Sequence, residues 1–195
     1  MIEKIIKGVG IGCLIYIVLA VAVCGGVGYS AFRADNAIKR ATVQIEKMEF
    51  AKARELLDLI KSWNGTDDYN RTLENICRAQ VFHLIGQGEH TLAKQIATED
   101  GLPHVYTEVL MTQLPQIYGQ HSTLSIFNAL AIISFSDEQA EYDKQVHTYN
   151  TSLNQFCKAL YTMGKKEDAK AFLNLLKPDY NGSTSKINKI KSQYR

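Results

Sequence analysis

Five histidines, four cysteines and one serine–lysine pair are the side chains whose types and spacing come nearest to chemistry in this chain. His83, His90, His104, His121 and His147 could act as metal ligands or general bases. None falls in a His-Glu-x-x-His spacing that would aim two rings at one ion. His83 and His90 follow Cys77 on neighbouring elements, and packed or solvated rings account for them better than a metal site. Ser183-x-x-Lys186 matches a serine–lysine nucleophile pair. It falls in a polar tail, where no pocket would orient it. Cys77 and Cys157 sit within apolar periodic stretches and read as buried thiols. Neither spacing resembles a metal site. No glycine-rich phosphate loop joins a strand to a helix. The expectation is a protein that is not an enzyme and holds no cofactor or metal.

Asn64, Asn70, Asn150 and Asn181 each open an Asn-x-Ser/Thr sequon. Asn150 falls in mid-helix by its surroundings, which argues against a glycan there. Tyr106, Tyr118, Tyr142, Tyr149 and Tyr161 are scattered over the C-terminal half. An aromatic ring with a polar tip suits either helix–helix packing or a groove that takes a peptide.

What would position these side chains begins with a membrane anchor. Residues 8–32 contain no charged side chain. A helix needs about 20 apolar residues to cross hydrocarbon, at about 1.5 Å per residue. The expected layout is a short head and transmembrane anchor over 1–32, a helical domain over 33–178 and a basic polar tail over 179–195. Gly8 and Gly12 form a GxxxG pair, and Ala20, Cys24 and Gly28 continue a small-xxx-small series. Small residues let two membrane helices approach closely, which would suit a homodimer or docking onto a larger membrane complex. Lys4 and Lys7 precede the anchor and Arg33, Lys39, Arg40 and Lys47 follow it. A short N-terminal segment usually stays inside, so an extracytoplasmic C-terminal domain is expected.

Beyond the anchor 20 basic and 19 acidic side chains remain, a balance that excludes a concentrated nucleic-acid-binding face. Lys186, Lys189, Lys191 and Arg195 follow the last acid, Asp179, and read as a solvated terminus. Between anchor and tail the apolar residues recur at three- and four-residue steps, the period of amphipathic helices. Helices are expected over 34–48, from Phe50 to Ile60, around 73–85 and around 92–97. Pro103 should open the next helix and Pro115 should kink or end it. Ser122–Ser134 is apolar nearly all round and should lie near the core centre. Ser136 and Gln139 are spaced as a capping box for a long helix reaching about Met163. Its inward stripe should be Tyr142, Val146, Tyr149, Leu153, Phe156, Cys157 and Leu160. A last helix should carry Ala169, Phe172, Leu173 and Leu176.

These helices fall in pairs. Leu153-x-x-Phe156-Cys157-x-x-Leu160-Tyr161-x-x-Gly164, followed by Ala169, Leu173 and Leu176, resembles a degenerate tetratricopeptide repeat. The resemblance makes Cys157 and Ala169 the small residues where paired helices cross, and Gly164 the tight turn. Ala37–Ile60 is a looser match around Ala53, with Met48 where the family has its turn glycine. Thr72–Ala97 is a third, with Gly88 and Ala93. Alanines at 53, 93 and 169 imply a period near 38, against ~34 in that family. The layout is similar to bitopic bacterial envelope proteins of the ancillary translocon subunit type. That resemblance implies a bacterial inner-membrane location.

The expected fold is therefore all-α, an α-solenoid of about four helix pairs tethered by one N-terminal transmembrane helix. The expected function is a membrane-anchored adaptor or scaffold for a protein partner, because stacked helix pairs leave a long concave face. Tyr149, Asn150, Asn154 and Lys158 are the expected partner-binding residues. The rival expectation is an accessory subunit of a membrane complex, assembled through the small-residue face of its anchor.

Overall fold

A computed structural model describes residues 32–61 and 66–194 of the chain. Over these residues the protein is all-α, with no strand. Helix α1 covers 32–46. It is followed by α2 (Phe50–Asp58), α3 (Asp67–Gln87), α4 (His90–Glu99) and α5 (Pro103–Ile117). Then come α6 (Thr123–Ala131), α7 (Gln139–Thr162), α8 (Lys166–Leu173), α9 (Ser185–Lys191) and a 3-10 turn over Ser192–Tyr194. None of the described helices is long and apolar enough to cross a membrane. The expected anchor, with Gly8, Gly12, Ala20, Cys24 and Gly28, lies outside the described residues except for Phe32.

The described residues divide between Ile76 and Cys77 into two compact units. The core of the first holds Ala34, Ala37 and Ala41 of α1, Ala53 and Leu57 of α2, and Tyr69 and Ile76 of α3. Alanines occupy the middle of the α1 face because they let backbones pack closely. Ile38 and Ile45 flank them, half-buried.

The second unit is the larger. Its core gathers Cys77, Val81 and Ile85 with Ala93 and Ala97, the inward face of α5, and Tyr149, Leu153, Phe156, Cys157 and Leu160 of the α7 stripe; Val146 is buried outside this cluster and Tyr142 is half-buried. Burying a Leu, Ile or Phe in such a core stabilises by roughly 1.5–3 kcal/mol. Four rings meet between α5, α6, α7 and α8. Phe127 stacks on Phe172 with centroids 4.6 Å apart. Phe156 meets Phe172 edge-on at 5.3 Å, and Tyr118 meets Phe156 at 5.6 Å.

One turn recurs four times. At Met48, Gly88, Gly101 and Gly164 the backbone takes a positive φ, of 59°, 84°, 73° and 80°. Each of these N–H groups donates to the carbonyl three residues back, and the next N–H to the carbonyl five back. This closes the helix end in a left-handed cap. Five residues later stands a side chain with almost no exposed surface: Ala53, Ala93, Tyr106 and Ala169. Met48 takes the conformation in which glycine stands at the other three.

Three local expectations are corrected. Pro115 does not end α5, which runs on to Ile117. Pro115 removes one backbone donor in the last turn, yet the helix end still closes: Tyr118 donates to the Leu114 carbonyl at 3.1 Å. Ser136 and Gln139 do not form the capping box. The N-cap of α7 is Glu138, and its N–H donates to Ser136 Oγ at 3.1 Å. It is Gln145, not Gln139, that accepts from the Ser136 N–H, at 2.9 Å. Finally, the segment after Asp179 is not a solvated tail. It folds as α9, and Ile187 and Tyr194 join the core.

Candidate functional site

A groove of about 1190 Å³ runs between α5 and α7 in the second unit. One wall is the α5 face with His104, Thr107, Glu108, Met111, Thr112 and Pro115. These positions step by three and four residues, so one side of one helix presents them all. The other wall is the α7 face with Glu141, Lys144, Gln145, Thr148, Ser152 and Gln155. The turn between α6 and α7 closes one end through Ser134, Phe135 and Ser136. The apolar floor comes from Met111, Phe135, Tyr149 and Phe156. Phe135 is pinned edge-on between Tyr142 and Tyr149, with centroids 5.7 and 5.5 Å away.

Charges in the groove pair with one another. Arg78 Nη2 lies 2.8 Å from Glu108 Oε2. Lys144 Nζ lies 3.5 Å from Glu141 Oε2, and Gln145 Nε2 donates to Glu141 Oε1 at 3.1 Å. Both ion pairs are solvent-exposed, so their worth is well under 1 kcal/mol each; their effect is to cancel local fields. Two of the groove threonines are also occupied within their own helices. Thr112 donates to the Glu108 carbonyl at 2.9 Å and Thr148 to the Lys144 carbonyl at 3.1 Å. The result is a polar-walled, apolar-floored channel with little net charge.

Of the four residues expected to bind a partner, only Tyr149 reaches the groove. Its ring contributes to the floor, and its hydroxyl donates to the Leu175 carbonyl at 3.2 Å. Burial holds that phenol well above the usual tyrosine range, so it is neutral at all ordinary pH. Asn150 and Asn154 lie off the groove and hold the C-terminal part of the chain. Asn150 Nδ2 donates to the Lys177 carbonyl at 2.7 Å and Oδ1 accepts from the Lys177 N–H at 2.9 Å. Asn154 accepts from the Tyr194 hydroxyl at its carbonyl and at Oδ1, at 3.1 and 2.7 Å. Lys158 is exposed and is not among the residues lining the groove. The reason is the helical period: residues 145, 148, 152 and 155 share the groove stripe, and 150 and 154 lie off it.

The small packing residues Ala53, Ala93, Cys157 and Ala169 have no exposed surface, and Gly164 makes the α7–α8 turn. Cys77 and Cys157 are buried thiols. Burial pushes the Cys157 thiol up to about 12. Ser183 Oγ meets only the Ser185 hydroxyl, at 3.3 Å, and Lys186 is exposed. Among the described residues no group of three or more His, Cys, Asp or Glu side chains could hold a metal ion. His104 alone of the five histidines lines the groove.

Sequence reasoning missed Arg78, Glu108, Met111, Thr148 and Ser152. A faint signal exists. On α7 the polar residues Gln145, Thr148, Ser152 and Gln155 repeat at helical spacing beside the apolar stripe. No family model, curated protein or solved structure matches the chain.

Proposed function

We propose that this chain is a membrane-tethered, helical-repeat adaptor that is not an enzyme, and that its α5–α7 groove holds an extended, uncharged peptide segment of a protein partner. The observation that carries the reading is the groove itself, long and open, with aromatic floor and internally paired charges. A strongly charged ligand would have to break those pairs or sit unneutralised. An extended chain with spaced apolar residues would bury them on Met111, Phe135 and Phe156 and leave its backbone to the polar walls. The repeated turn, followed at three of its four occurrences by a buried alanine, supports a stack of helix pairs, in which such faces are characteristic binding surfaces. The tether is the uncharged run over 8–32.

The test is panning of the detergent-solubilised full chain against displayed random peptides. Enriched sequences should carry little net charge and spaced apolar residues. Thr107→Glu and Ser152→Arg, each placing a charge in the groove, should weaken binding at least tenfold, equivalent to about 1.4 kcal/mol. Enrichment of acidic or basic sequences, or binding indifferent to both variants, would overturn the reading.

A further inference from the structure

His90 is the buried titratable group that nothing above employs. It opens α4, is 7% exposed, and neither ring nitrogen has a hydrogen-bond partner among the described residues. Its ring stands edge-on to His121, with centroids 6.2 Å apart. His121 lies in the turn between α5 and α6. Its Nε2 is 3.1 Å from the Gly86 carbonyl, which only accepts, so Nε2 carries the proton. The backbone at Gly88, bent to a φ of +84°, comes so close that a Cβ there would stand 3.4 Å from the His121 ring. Two imidazoles thus hold the turn between α3 and α4 against the turn between α5 and α6.

We propose that His90 and His121 form a pH-sensitive latch, closed while the His90 ring is neutral and released when acid charges it. The geometry disfavours a proton on His90 in three ways. The ring is out of water. A cation at the first residue of a helix opposes the helix dipole. A second positive ring would face it at the distance of His121. The ionisable groups that bear on His90 are His121 across the turn and Glu89 beside it. Burial first, and His121 next, hold its pKa below the ordinary 6.5, and Glu89 opposes them only in part.

The sign follows from the linkage. An unfolded or opened chain takes up a proton on His90 near 6.5, and the closed form resists it. The latch is therefore at full strength above that pH and weakens as pH falls through 6.5 to the lowered value. Each unit of lowering favours the open form tenfold once protonation is complete. Because α5 ends at the latch and also walls the groove, release would loosen one wall.

Two measurements on the full chain in detergent micelles test this. Histidine resonances followed through a pH titration should show His90 titrating below 6.5. Hydrogen exchange at about pH 7.5 and about pH 5, corrected for intrinsic rates, should show residues 86–94 and 118–122 losing protection at least tenfold more than α7 and α8 in acid. In His90→Gln, which cannot charge, that selective acid loss should vanish. The proposal is overturned if His90 titrates at 6.5 or above, if protection is unchanged in acid, or if His90→Gln loosens in acid as the native chain does. The titration needs no variant, so a misfolded His90→Gln would leave the test intact.

Discussion

Asn150 grips the backbone of Lys177 from both sides, donating to its carbonyl at 2.7 Å and accepting from its N–H at 2.9 Å. This joins the middle of α7 to the segment that follows α8. Asn150→Ala removes both bonds and leaves two half-buried backbone groups unpaired, a cost of about 2 kcal/mol. Asn150→Asp keeps the acceptor and should cost less. Urea unfolding midpoints of the three proteins should fall in that order.

Met48 should be improvable. It is the one described residue other than glycine with a positive φ. Holding a side chain in that conformation costs about 1 kcal/mol, and Met48→Gly should recover it. The reverse change, Gly164→Ala, should destabilise by about as much although nothing lies within 4 Å of the added methyl. Thermal denaturation of both variants would show opposite shifts.

Cys157 should be silent toward thiol reagents in the folded protein. It has no exposed surface and its thiol is pushed up to about 12 by burial, so almost no thiolate exists at neutral pH. Site-resolved mass spectrometry after brief alkylation should find Cys157 unmodified in buffer and fully modified in denaturant.

Tyr118 supplies a prediction at the alkaline end. Its hydroxyl donates to Asp168. Partial burial, and then the Asp168 carboxylate, push its pKa up to about 12 from the usual 10. The folded state keeps a proton that the unfolded state loses, so the contribution is intact below pH 10 and declines between 10 and 12. Stability against pH in that window should fall more steeply for the native chain than for Tyr118→Phe.

The helices were legible because burial imposes the 3.6-residue period on sequence. Val146, Leu153, Phe156, Cys157 and Leu160 were expected inward from spacing alone, and all are buried. The groove was not legible in the same way. Its walls are the polar flanks of α5 and α7, two helices separated by α6, and polar residues facing a groove look like polar residues facing water. Asn150 and Asn154 fell off the groove for a related reason: the groups that hold them are the Lys177 backbone, which carries no side-chain signal, and Tyr194, from a segment whose basic composition suggested solvent. Only three apolar residues, Ile187, Ile190 and Tyr194, mark that segment as core, too few to set a visible period.

The pairing of Arg78 with Glu108 and of Lys144 with Glu141 has a kinetic side. A docking face whose charges cancel projects little field beyond a Debye length, so it cannot draw a partner in from a distance. Encounter there would run at the unsteered rate, on the order of 10⁵–10⁶ M⁻¹s⁻¹, and would barely respond to salt. Residence time, set by how well side chains fill the floor, would then decide which partners are kept.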